Sequence, residues 1–381
     1  MLPRRGTVGV QTHVAQATDM LERRGSPVRV VHPGSGIPVI GPVLLLPGRA
    51  LRRAGLEAGV RMDRYWHRHL LEAALRREFA RRPPGLVYAQ DPRSAHAALA
   101  ARGSRDTPVV MAVHYNESQA QELVDRGLIE PGGRTDRAIR DLEASVVARL
   151  DGVVYVSDFM RRRVEADVPA ARNVPSAIVP NFLGPATLEG GPESPRRDCI
   201  SVGNLFERKN HRFLLHVLAA ARTAGRKYTL TLVGDGPAKD SLSRLARELG
   251  VAEQVWFAGA RFDVDHLLRE HRVYVHSAFM ENCPFAVIEA FRAGLPVLAP
   301  DVGGVPEVVG EGGAGRLWDL REPDSAARVL IDVLDDEAGR AEAGRRARAR
   351  FEQEYAAEVV GDRLAQFLLG VGPRGSTVPP R

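Results

Sequence analysis

The chain has 381 residues, of which 44% are apolar and 6% aromatic, and it carries a net charge of +6. That length accommodates two domains on the usual scale of roughly 100–200 residues each. Two cysteines, Cys199 and Cys283, are too few for a disulfide scaffold or a four-ligand zinc site, and their apolar surroundings suit a reducing compartment. No stretch reads as a signal peptide, and none is apolar for long enough to span a bilayer, so a cytoplasmic location is expected. The charge is uneven. Through residue 185 the chain has 27 arginines against 19 acidic residues, a net +8, and the remainder stands at −2. A basic half could face an anionic membrane, an anionic acceptor or nucleic acid. Only three lysines occur, Lys209, Lys227 and Lys239, so much of this arginine reads as a codon habit. No aromatic platform interleaves the basic residues, which argues against nucleic acid as a partner.

In chain order, short apolar strands alternate with amphipathic helices, the pattern of α/β units on parallel sheets. The first half opens with MLPRRGTVGVQTHVAQA, which reads as a loop and then a helix from Thr12 to Arg24. The expected strands are Val28 to Val31, Leu86 to Ala89, Val109 to Val113 and Val153 to Val156. Further helices are expected at Asp63 to Arg81, Thr135 to Leu150 and Asp158 to Glu165. The run IPVIGPVLLLPG from Ile37 is broken by prolines, so it reads as a strand beside a loop rather than as a helix. After Pro180 the composition turns rich in Gly, Pro and charge, and a linker is expected there. The pattern then restarts with strands at Cys199 to Val202, Thr229 to Val233 and Val255 to Ala258, and helices at His211 to Thr223 and Ala238 to Leu249. The tail GVGPRGSTVPPR is expected to be disordered.

Residues 277–309, SAFMENCPFAVIEAFRAGLPVLAPDVGGVPEVV, carry the strongest functional signal. Glu281 precedes a helix that Pro284 can open, and Glu289 lies within it. Ala286, Val287, Ile288, Ala290, Phe291 and Ala293 make that helix almost wholly apolar, so it should be buried. Gly294 stops it, and a strand from Pro296 to Ala299 leads into the loop GGVPE. Carboxylates on a buried helix are costly unless something hydrogen-bonds them. A polyhydroxyl ligand would do so, and a diphosphate would suit the free N–H groups at the helix start. Upstream, SVGNLFERKNH places Lys209 where a strand gives way to a helix, a position suited to holding phosphate.

This segment resembles the donor-site signature of the family-4 retaining glycosyltransferases. Their pattern is Glu-x7-Glu, a small-residue helix, Gly-x-Pro-Val and a Gly-Gly-x-x-Glu loop, and every element has its counterpart here. The resemblance implies a GT-B fold, with two Rossmann-like domains facing across a cleft. It implies that Glu289 holds the nucleotide ribose, while Glu281 and the backbone of Cys283, Pro284, Phe285 and Ala286 hold the donor sugar. The family usually reads Glu-Gly-Phe-Gly where this chain has Glu281-Asn282-Cys283-Pro284, which changes the surface presented to the sugar. Lys209 matches the family lysine that grips the diphosphate. Asn204 replaces the family arginine, and Arg208 is a candidate to supply the missing charge. The Gly-Asp-Gly-Pro turn at Gly234 also matches. Arg261 falls in the segment that leads to the base, His114 at a strand end near the donor sugar, and Gly9 in a loop close to the donor phosphate or the acceptor.

The implied domains are an acceptor-side unit at 1–182, a linker at 183–197, a nucleotide-sugar-binding unit at 198–355, a closing helix at 356–370 and a tail at 371–381. Relatives usually open with a buried strand before the first loop, and its absence here suggests a wrongly assigned start codon or another segment in that place. The implied reaction is metal-independent, with His114, Lys209 and Glu281 nearest the chemistry. It moves a sugar from a nucleoside diphosphate to an acceptor hydroxyl with retention. A UDP-sugar is favoured over a GDP-sugar, and no cofactor beyond the donor is implied. The acceptor is a small molecule or glycan, and the product a glycan, glycolipid or natural-product glycoside. Weak peripheral membrane contact is compatible with the charge. The alternatives are a catalytically weak sugar-nucleotide-binding subunit and a sugar-nucleotide epimerase on the same fold.

Overall fold

A computed structural model of the chain describes residues 9–35, 40–185 and 197–372, with the backbone alone at 40–44. It divides into two compact units, residues 1–180 with 361–381 and residues 181–360. Among the described residues no helix is long and apolar enough to cross a membrane.

In the first unit the helices are α1 (Gly9–Arg23), α2 (Ile40–Arg53), α3 (Glu57–Arg81), α4 (Pro92–Arg102), α5 (Gln119–Asp125), α6 (Arg134–Val147) and α7 (Asp158–Asp167). The strands are β1 (Val87–Ala89), β2 (Val109–Val113), β3 (Gly152–Tyr155) and β4 (Ser176–Ile178). They form one parallel sheet in the order β1-β2-β3-β4. The strand β2 is wholly buried, as expected of a parallel strand covered on both faces. Leu71, Leu75 and Phe79 of α3 pack on it together with the alanine face of α4.

Two expectations for this unit are corrected. Val28 to Val31 is not a strand. Val30 is exposed, and Arg29 pairs with Glu78 of α3 instead of joining a ladder. The proline-broken run is a helix, α2, with Pro47 inside it. Pro42 falls in its first turn, where a missing N–H costs nothing. Leu45 is buried, so the helix has an inward side despite its prolines. A strand before α1 would lie at residues 1–8, outside the described residues. Among the described residues β1 is the edge of its sheet. The linker at 186–196 and the tail from 373 are also outside them.

The second unit contains β5 (Arg197–Val202), α8 (His211–Thr223), β6 (Leu230–Val233), α9 (Lys239–Glu248), β7 (Val255–Gly259), α10 (Val264–Arg269) and β8 (His271–Val275). It continues through α11 (Phe285–Arg292), β9 (Val297–Pro300), α12 (Val305–Val309), β10 (Gly315–Trp318), α13 (Pro323–Asp335) and α14 (Glu337–Arg350). The closing helix α15 (Ala357–Gly370) crosses the boundary, with its residues from Gly361 onward counted in the first unit. The sheet is parallel throughout, in the order β10-β9-β8-β5-β6-β7. The chain therefore builds outward from β5 through β6 to β7, then returns to the other side of β5 with β8. This is the doubly wound order, and its reversal between β5 and β8 opens a crevice at the strands' carboxyl ends.

The loops leaving β5, β6 and β7 touch through their backbones. Gly203 N–H donates to Val233 O at 2.9 Å, and Gly234 N–H to Gly259 O at 2.8 Å. A Cβ on Gly234, whose φ is +138°, would lie 2.1 Å from Gly203 O. Gly225, which ends α8 with φ +82°, would meet no atom within 4 Å. Gly225→Ala is expected to cost about 1 kcal/mol for left-handed backbone alone. Gly234→Ala is expected to cost at least twice that in urea denaturation followed by tryptophan fluorescence, and equal losses would remove the clash.

Candidate active site

The loop after β5 runs from Gly203 into a single 3-10 turn, Glu207–Lys209. Asn210 follows in the left-handed region, with φ 51° and ψ 38°, and turns the chain into α8. Asparagine tolerates this conformation better than most residues. The loop after β8 runs alongside. Ser277 Oγ donates to Lys209 O at 2.9 Å, and Phe279 N–H donates to Arg208 O at 3.0 Å. These bonds bring the two loops together across the strand-order reversal. Lys209 Nζ then forms an ion pair with Glu281 Oε1. Arg208 Nη1 stands 3.6 Å from the same oxygen. The loop after β9 holds Glu281 from behind, with Gly304 N–H donating to Glu281 O at 2.9 Å.

The pair is largely withdrawn from water, with side-chain exposures of 17% for Lys209 and 13% for Glu281. Burial pushes the Glu281 carboxyl up, and Lys209, aided by His276 and Arg208, more than reverses this and holds it below its ordinary value. Two buried histidines flank the lysine. Burial first, and Lys209 second, lower His276 to about 4 and His211 to about 3. Both rings are therefore neutral at pH 7, and the cation beside Glu281 is Lys209. Tyr274 Oη lies 3.3 Å from His276 Nδ1, and Trp318 Nε1 donates to His276 O at 3.1 Å.

Pro284 is the N-cap residue of α11, and no side chain caps the helix, so beyond Val287 N–H, which donates to Pro284 O at 3.1 Å, its first-turn N–H groups have no side-chain acceptor. Cys283 is buried and fixed by Asn181, whose Nδ2 donates to Cys283 O at 2.7 Å and whose N–H approaches Cys283 Sγ at 3.3 Å. Phe285 and Ala286 are half-buried in the first turn. Glu289 sits one turn further on, half-buried, and burial pushes its carboxyl up to about 7 against the pull of Arg292. Arg292 is engaged elsewhere, with Asp265 Oδ1 at 2.5 Å and Gly184 O at 3.2 Å. Among the described residues the Glu289 carboxylate has no hydrogen bond or ion pair.

The other sequence-selected residues spread out. Asn204 is exposed on the β5 loop. Arg261, on the loop after β7, is held by Asp263 through bonds of 2.8 and 2.6 Å. In the first unit Gly9 is the exposed first residue of α1. His114 ends β2 and shares Nε2 with Gln90 Oε1 at 3.1 Å, its ring 4.5 Å from that of the fully buried His13. Burial, then His13, keeps His114 well below its ordinary pKa and so neutral. The triple arginine 161–163 pairs with Asp158, Glu165 and Asp167 on a solvated helix face. Sequence reasoning missed Asn181, His211 and His276. Asn181 fell in the expected linker stretch, and nothing local marks the histidines apart from a strand end before His276.

Family comparison agrees with this arrangement. The family model described as glycosyl transferases group 1 matches residues 189–350, and that described as glycosyltransferase family 4 matches residues 7–183. The chain belongs to the family-4 glycosyltransferases. It is 26% identical over 342 residues to glycogen synthase of Mycobacterium tuberculosis, covering 88% of this chain and 77% of that protein. To phosphatidyl-myo-inositol mannosyltransferase of the same organism it is 26% identical over 336 residues, covering 86% and 82%. The solved structure of Anabaena Alr3699/HepE in complex with UDP-glucose aligns with TM-score 0.65 at 17% identity, over 97% of this chain and 98% of that one. Against the longer S. aureus TarM the TM-score is 0.62 at 15% identity, and the chain spans 58% of its length. The fold is GT-B.

Replacing Lys209 isolates its effect on Glu281. In the intact chain the depressed carboxyl contributes stability above its unfolded pKa, and that is lost as pH falls through the folded value. In Lys209→Ala only Arg208 and His276 remain to oppose burial, so the folded pKa of Glu281 rises and less of that stability is present at neutral pH. The melting-temperature gap between the two proteins is therefore expected to widen from pH 4 to pH 7. A constant gap would show that Lys209 does not set the charge of Glu281.

Proposed function

We propose that this protein is a retaining glycosyltransferase that moves a sugar from a nucleoside diphosphate to an acceptor hydroxyl. The observation that carries the reading is the unpaired Glu289 in the second turn of α11, the helix that follows the largely withdrawn Lys209–Glu281 pair at the strand-order reversal of one sheet. A ribose carries two adjacent hydroxyls that can donate to the Glu289 carboxylate. A diphosphate beside Lys209 would meet the lysine, Arg208 and the uncapped start of α11 within one loop cluster. As the sugar–phosphate bond breaks, negative charge grows on the departing diphosphate, and fixed positive groups stabilise that state more than the ground state. Glu281 then orients the lysine and accepts hydroxyl protons from the sugar. His114 is a neutral donor or acceptor for a sugar hydroxyl. In this reading Gly9 would approach the donor phosphate or the acceptor and Arg261 the base, with Asn204 at the position of the missing arginine.

HepE was solved with UDP-glucose, which favours a UDP-sugar over a GDP-sugar as donor. Cys283 and Asn282 replace the usual residues after Glu281, so the sugar they select is this chain's own. A metal-independent reaction follows from assigning the diphosphate charge to Lys209 and Arg208. We place the enzyme in the cytoplasm, acting on a small or glycan acceptor and touching anionic membrane weakly at most.

Incubation with a panel of sugar nucleotides is expected to show slow hydrolysis of one of them, and Lys209→Ala should reduce it by about 100-fold or more. Glu289→Gln should weaken nucleotide binding by about 1–3 kcal/mol. Because burial holds free Glu289 near 7 and hydroxyl donors favour its ionised form, binding at pH 7 should release a proton. The calorimetric binding enthalpy should then depend on the ionisation heat of the buffer, and this dependence should vanish in Glu289→Gln. A buffer-independent enthalpy would remove Glu289 from the ribose. Nucleotide binding without hydrolysis of any donor, with or without added acceptors, would favour the binding-subunit reading.

A further inference from the structure

The first unit holds a second concentration of charge, at the carboxyl end of β1. Arg64 and His67 lie three residues apart on α3 and so share a helix face. Asp91 and Arg93 stand where β1 gives way to α4. Asp91 is fully employed there. Its Oδ1 accepts from Ser94 N–H at 2.6 Å, capping α4, and its Oδ2 accepts from Arg93 at 3.0 and 3.2 Å. Arg64 Nη1 donates to Gln119 Oε1 at 3.2 Å, while its Nη2 is buried with no acceptor among the described residues. The other nearby carboxylates are also occupied. Asp63 takes Arg52 at 3.1 Å, and Glu143 takes Gln119 N–H at 2.8 Å.

Arg64 is thus a half-buried cation with an unanswered donor, and among the charges acting on it Arg93 is felt more strongly than any carboxylate. Burial first, then Arg93, lowers Arg64 to about 10 and His67 to about 4. A withdrawn guanidinium that keeps a buried, unbonded N–H and feels a second cation nearby is unfavourable by itself. A planar fork of N–H donors matches phosphate or carboxylate oxygens, and an anion here would answer the open donor and relieve the repulsion. The cluster is next to His114, because Gln90 bridges them. Gln90 N–H donates to Ser94 Oγ at 3.1 Å, and its side chain meets His114 Nε2.

We propose that Arg64 and Arg93 form a subsite for an anionic group, phosphate or carboxylate, carried by the acceptor. The word acceptor rests on the transferase reading, and the anion site itself does not. The test uses the full chain carrying Lys209→Ala, which weakens the diphosphate grip of the second unit. Glycerol 3-phosphate, glucose 6-phosphate and glucuronate are titrated by calorimetry against glycerol and glucose. At least one anionic compound should bind 10-fold or more tightly than its neutral counterpart. Arg64→Gln and Arg93→Gln should each lose most of that preference, and Arg64→Lys should keep part of it, with circular dichroism confirming the fold. Vesicles containing phosphatidylglycerol form a separate arm. Arginine-dependent binding there and not to glycerol 3-phosphate assigns the anion to a lipid headgroup, and the converse assigns it to a free metabolite. No charge preference, or one that ignores both arginines, would overturn the subsite. With Lys209 restored, arginine-dependent anion binding without consumption of any sugar nucleotide would sink the transferase reading and leave the subsite standing.

Discussion

The second unit depends on the point at which its sheet changes direction. Because β8 returns to the far side of β5, the loops that follow these two strands diverge at first and leave a crevice between them. In this chain they are drawn back together by Ser277 and Phe279, and the charges of Lys209 and Glu281 meet where they touch. A withdrawn carboxylate would be costly alone, and so would a withdrawn ammonium. Each tolerates its position because the other is there. The pairing needs a parallel sheet, short loops with little freedom, and glycine at Gly234 and Gly236, where a Cβ would lie 2.1 Å from Gly203 O and 2.5 Å from Leu205 O.

Burial acts differently on the two glutamates of the Glu-x7-Glu motif. Glu281 has a lysine within reach and stays charged. Glu289 has no partner among the described residues, since the nearby Arg292 is taken by Asp265, and its carboxyl is pushed up to about 7. Residues eight apart in sequence are thus in opposite states, one satisfied and one waiting. The buried histidines follow the same logic. Burial first, and Lys209 second, keep His276 and His211 neutral at pH 7, so neither competes with Lys209 for Glu281 there.

The parts legible in sequence were those fixed by local pattern. The buried strands β2, β3, β5 and β6 read directly as short apolar runs, and α11 read from its apolar composition between Pro284 and Gly294. The two failures have different causes. Val28 to Val31 has strand-forming residues, but Arg29 pairs with Glu78 of α3 and the segment joins no ladder. The run around Pro42 and Pro47 contains helix breakers, yet one lies in a first turn and the other is tolerated within α2. Propensity was overridden by tertiary partners in one case, and position within the element mattered more than residue type in the other. His276, His211 and Asn181 were illegible because their importance lies in what folds against them, and no spacing encodes that.

The arginine-rich first half shows why composition needs geometry before it can bear on function. Arginines 161–163 are set on a solvated face and matched by Asp158, Glu165 and Asp167, each replaceable without leaving a charge stranded. Such residues are what a codon habit produces. Arg64 differs in kind. It lies half-buried on the inner side of α3, it meets another guanidinium more strongly than any carboxylate, and one of its donors is buried without an acceptor. A codon habit supplies the residue but does not account for its inward position, since a glutamine on the same helix would avoid the repulsion. The excess of positive charge in this half therefore separates into solvated arginines matched by neighbouring carboxylates and a small inward group for which we propose an anion from outside the chain.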